Sequence, residues 1–79
     1  MRHRSKQAFV SWNADICRVI DVATHTLVTR SVHFRRATRV ARRRGYDVTI
    51  YKGHYAIAPR DATHVRDGGY VLPAVTKEI

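Results

Sequence analysis

Disulfides, clustered acids and long apolar runs are all missing from this sequence. Cys17 is its only cysteine, so no intrachain disulfide can form and the sequence gives no sign of a stapled, secreted scaffold. No stretch approaches the ~18 consecutive apolar residues that would cross a membrane. The basic start MRHRSKQ meets Ser11, Asn13 and Asp15 before the apolar region of a signal peptide develops. These absences predict a cytoplasmic protein with no membrane partner. Acids are scarce: Asp15, Asp21, Asp47, Asp61, Asp67 and Glu78 are all there are, and they are scattered. Paired carboxylates for acid–base or two-metal chemistry are therefore not expected. His3, His25, His33, His54 and His64 show no ligand spacing with one another or with Cys17, so no metal and no other cofactor is expected.

Arginine is present in quantity. Fifteen Lys and Arg against six acids give a formal net charge of +9 within 79 residues, which directs attention to nucleic acid or another acidic surface. Twelve of those fifteen are arginine, the side chain that can bind phosphate or carboxylate through two parallel bonds. A GC-rich coding genome yields the same preference for Arg over Lys, but it does not place arginines on one face. The stretch Ser31 to Gly45, SVHFRRATRVARRRG, does. Ser31 is a suitable N-cap and Gly45 a suitable left-handed C′ residue, which predicts a helix over residues 32–44. At about 100° per residue, Phe34, Ala37, Val40 and Ala41 share one side. Arg35, Arg36, Arg39, Arg42 and Arg43 crowd the other. A helix selected only for solubility mixes in glutamates to relieve like-charge repulsion, and this one has none.

Around that helix the chain alternates in strand fashion. Residues 1–6 read as a disordered basic arm and residues 74–79 as a frayed end, with one domain between them over residues 7–73. Gln7 to Trp12 alternates, Asn13-Ala14-Asp15 is a turn, and Ile16 to Val22 is a β-branched run. Leu27 to Arg30 makes the return strand of a hairpin whose register no Asn-Gly or Asp-Gly fixes. Tyr46 to Tyr51 is the best strand, Lys52-Gly53 turns, and His54 to Ala58 returns as far as Pro59. Tyr70-Val71-Leu72 reads as a short edge strand. The expected fold is α+β: one antiparallel sheet of four to five strands in the order β-β-β-α-β-β, with a single helix packed on one face.

The predicted partner-binding set is Arg35, Arg36, Arg39, Arg42, Arg43 and Lys52. Trp12, Tyr51, Tyr55 and Tyr70 are candidates for stacking on bases, with Tyr51 and Tyr55 assigned to the site. An all-arginine face has no Asn or Gln for adenine, so any nucleic-acid recognition should be weakly sequence-specific. Within Val40 to Pro59, a helix end, Gly45-Tyr46 and then Gly53-His54-Tyr55 resemble the helix–hairpin section of HicA-type toxins. That resemblance implies a ribonuclease using His54, but His54 follows Gly53 directly where the family has an intervening Ser or Asp. With no other catalytic set, a non-enzymatic protein is expected. In size and layout the chain resembles small phage-encoded inhibitors, including anti-CRISPR and host-takeover proteins. The resemblance implies a stoichiometric inhibitor, a monomer or homodimer in the host cytoplasm, that grips a nucleoprotein complex or an acidic protein surface. The alternative is an accessory protein that binds DNA or RNA directly.

Overall fold

The computed structural model describes residues 5–51, 62–64 and 69–75. The elements among them are β1 (Lys6–Asn13), β2 (Ile16–Asp21), β3 (Leu27–Ser31), α1 (Phe34–Arg43), β4 (Tyr46–Ile50), β5 (Thr63–His64) and β6 (Tyr70–Leu72). The fold is α+β, with one sheet in the order β3-β2-β1-β4-β6-β5 and one helix among the described residues.

β1 to β3 form the expected antiparallel meander. Ala14 and Asp15 are the two loop residues between the paired Asn13 and Ile16, and Ala14 takes a positive φ of 55° there. The loop from β2 to β3 is built on Asp21, as a carboxylate at a strand end can accept from N–H groups two and three residues on. Its Oδ1 accepts from the backbone N–H groups of Ala23 (2.8 Å) and Thr24 (3.0 Å). A register shift in the β2–β3 pairing falls between Val19 and Ile20.

The sheet is mixed, which corrects the all-antiparallel expectation. β4 runs parallel to β1, with Lys6 opposite Tyr46 and Ala8 opposite Val48. A parallel neighbour cannot be reached through a tight turn, so the chain needs a crossover, and α1 supplies it. β6 pairs antiparallel with β4 on one side and with β5 on the other. It is thus an interior strand rather than an edge. The two-residue β5 was not expected from the mixed polarity of residues 60–67. The expected strand from His54 to Ala58 lies outside the described residues.

One face of the sheet carries the core. Ala8, Val10, Cys17, Val19, Val48, Ile50, Tyr70 and Leu72 are buried together with Ala37 and Ala41 of the helix. α1 rests on β2, β3 and β4. Its fully buried residues, Ala37, Thr38 and Ala41, are small, with Phe34 packed at the edge, and the larger fully buried side chains come from the sheet.

Several boundaries differ from the sequence reading, most of the strand ends by one residue. The helix begins at Phe34, with His33 at the N-cap and no side-chain cap bond. The Ser31 hydroxyl accepts from the His33 N–H (3.0 Å) at the end of β3 instead. The buried stripe is Phe34, Ala37, Thr38 and Ala41. Thr38 takes the place expected for Val40 because its hydroxyl donates back to the Phe34 carbonyl (3.0 Å), which satisfies it inside the core. Lys6 belongs to β1 rather than to a loose arm: its N–H donates to the Gly45 carbonyl (3.1 Å) and its ammonium lies 5.6 Å from the Tyr46 ring centroid. Ala74 and Val75 are likewise fastened, by an Ala74 N–H bond to Asp47 Oδ1 (2.7 Å) and a Val75 N–H bond to the Arg42 carbonyl (3.0 Å). Gly45 ends the helix as expected, at φ +93°.

Candidate functional site

With Phe34, Ala37, Thr38 and Ala41 against the sheet, the helix must turn its opposite side to solvent. Arg36, Arg39 and Arg43 fall within roughly 60° of arc and Arg35 adjoins them, as follows from helical geometry. All four are exposed. Seven residues separate Arg36 from Arg43, about 10 Å along the axis. The first turn of the helix contains no acid.

The acids among the described residues lie elsewhere. Asp21 Oδ2 accepts from the Tyr46 hydroxyl (2.7 Å), and Asp47 accepts from Gln7 Nε2 (3.2 Å) and the Ala74 N–H. Asp15 sits in the β1–β2 turn. Among the described residues, none of these acids pairs with Arg35, Arg36, Arg39 or Arg43. The Tyr46 hydrogen bond, supported by the Thr24 and Ala23 N–H groups, holds the Asp21 carboxyl below its ordinary range, and the same bond raises Tyr46.

The arginines of the helix are not equivalent. Arg42 is half-buried, and its Nε donates to the Pro73 carbonyl (2.7 Å). Arg44 Nη1 donates to the Val28 carbonyl (2.6 Å). Both thereby fasten the helix end to neighbouring chain, so Arg42 contributes less to the platform than its position in sequence implies. Lys52, Tyr55 and His54 lie outside the described residues. Tyr51 is described and is 55% exposed. It follows Thr49 by two residues, and Thr49 pairs with Phe9 while the neighbouring pair, Ala8 and Val48, is buried under the helix. Tyr51 therefore lies on the far side of the sheet. The structure brings four arginines together and separates the candidate stacking ring from them.

That far side carries groups the sequence did not single out. Ser11, Arg18 and Arg30 are successive partners across β1, β2 and β3. Phe9, one step along, lies with its ring centroid 6.5 Å from that of Tyr51. Only the hairpin register makes Arg18 and Arg30 neighbours, and no turn signal fixed that register.

Cys17 is buried, and burial pushes its thiol up to about 11. It is a core residue of β2, without the thiolate character that a nucleophile or metal ligand needs. Among the described residues no cluster of His, Cys, Asp or Glu is arranged to hold a metal ion, and no helix is long and apolar enough to cross a membrane. Fold and surface define a small α+β domain with a basic helix. No protein-family model, curated protein or solved structure matches the chain.

Proposed function

We propose that this protein is a non-enzymatic, stoichiometric binder of nucleic acid that grips the phosphate backbone through Arg35, Arg36, Arg39 and Arg43. The observation that carries this reading is their common exposure on one side of α1 with no acid of the described chain to neutralise them. Exposed like charges three and four residues apart repel and weaken a helix. A bound polyanion removes that penalty and releases its own counterions.

The same face argues against an acidic protein surface as the principal target. Protein interfaces centre on buried apolar or aromatic anchors, and the outward arc of α1 has none. Contact with phosphate needs only guanidinium groups at suitable spacing. The readout is correspondingly independent of base sequence. Inhibition of the phage type, anti-CRISPR included, then proceeds by occupying the nucleic acid that a machine carries.

The test is a fluorescence-anisotropy titration against duplex DNA, single-stranded DNA and RNA at two salt concentrations. Wild-type protein should bind duplex with strong salt dependence. The variant carrying Arg36→Glu, Arg39→Glu and Arg43→Glu should bind duplex far more weakly and with a shallower salt dependence, while its circular dichroism spectrum stays unchanged. Unaltered duplex affinity in the variant removes the helix from the reading. No duplex affinity in the wild type removes the reading itself.

A further inference from the structure

The face of the sheet turned away from α1 presents charge and aromatic surface in an arrangement the fold itself does not use. Arg18 and Arg30 are direct cross-strand partners, which places their Cβ atoms about 5 Å apart. Like charges so placed destabilise a sheet unless something of opposite sign lies between them. No described acid pairs with either. Arg18 Nε is enclosed yet has no hydrogen-bond partner among the described residues, so none of them supplies an acceptor at that nitrogen of this half-buried side chain. Ser11 continues the row on β1. On the same face Phe9 supports Tyr51 in a tilted contact, with 57° between the ring planes, and Tyr51 remains more than half exposed.

We infer that this face is a second site, one that takes single-stranded nucleic acid with a base stacked on Tyr51 and the backbone phosphate drawn to Arg18 and Arg30. A cationic groove beside an aromatic platform is what single strands require, because every base has a π-face once it is unstacked from a partner. A duplex keeps its bases stacked internally and offers nothing to Tyr51. The site shares no residue with the arginine face of α1 and lies on the opposite side of the sheet. It therefore stands or falls separately from the helix contact.

The experiment compares a labelled thymidine octanucleotide, an abasic octamer with the same number of phosphates, and a duplex. Wild-type protein should prefer the thymidine octamer to the abasic one by roughly tenfold, as expected for a single stacked base. Tyr51→Ala should abolish that preference, Tyr51→Phe should keep it, and duplex affinity should be the same in both. Arg30→Gln should weaken both octamers and flatten their salt dependence without touching the preference for bases. Tyr51 and Arg30 are exposed, so these replacements leave the core closed, and thermal melting verifies it. Equal affinity of the wild type for the two octamers overturns the inference. So does retention of the preference in Tyr51→Ala, or wild-type affinity for both octamers in Arg30→Gln.

Discussion

Asp21 joins three parts of the molecule through one carboxylate: the end of β2, the loop into β3 and the start of β4. Oδ1 fixes the loop N–H groups, while Oδ2 takes the Tyr46 hydroxyl. Since these bonds favour the ionised form, the folded carboxyl titrates below its ordinary value of 3.8. Such a group stabilises the fold above the unfolded value, and that stabilisation is lost as pH falls through the lower, folded value. Tyr46 has the opposite sign. Raised above its ordinary 10.0, it stabilises the fold below that value and ceases to do so as alkali takes it through its folded value. Tyr46→Phe removes one partner and leaves a carboxylate oxygen without its donor. Its melting temperature should fall at neutral pH, and the difference from wild type should shrink at both ends of a pH series from 2 to 12. A constant difference across that range dissociates the pair from stability.

At the scale of elements, the helix was legible in sequence because its two faces differ in chemistry as well as in hydropathy. Gly45 marked its end correctly, since the φ of +93° there suits a residue without Cβ. Its start was misplaced because Ser31, a good cap by residue type, is held in β3 by pairing with Cys17, and tertiary pairing overrides a local preference. The strands β1 and β4 were readable from alternation, and β2 and β3 from their β-prone residues. Their arrangement was not, because alternation identifies a buried face and is silent on which strand lies beside which. The parallel β1–β4 pair is a product of the crossover, whereas the separation of Tyr51 from the arginines follows from alternation along β4 once Val48 and Ile50 face the helix. The small residues that α1 turns to the sheet give a sharp test. Ala37 and Ala41 are wholly buried, so Ala37→Leu forces new atoms into a filled space and should cost about 1–3 kcal/mol. Arg39→Leu, on the exposed side, adds a similar apolar side chain and should cost much less. Equal losses in urea denaturation contradict the placement of the helix.

For the whole molecule, the question is whether binding comes from nine excess charges spread over the surface or from a local contact. Each Arg→Glu exchange removes two charges, so the triple helix variant drops the formal net charge from +9 to +3. A control with Arg2→Glu, Arg4→Glu and Lys77→Glu makes the same change elsewhere in the sequence. If attraction is diffuse, both variants lose affinity alike. If Arg36, Arg39 and Arg43 each neutralise a phosphate, only the helix variant loses those three contacts. The slope of log K against log salt on duplex should then become shallower by about 2.7 in the helix variant, from ~0.9 per phosphate. The control should keep nearly the wild-type slope, with a modest uniform loss of affinity at low salt. Matching slopes in the two variants would show that net charge alone governs binding and that the alignment of arginines on α1 has no part in it.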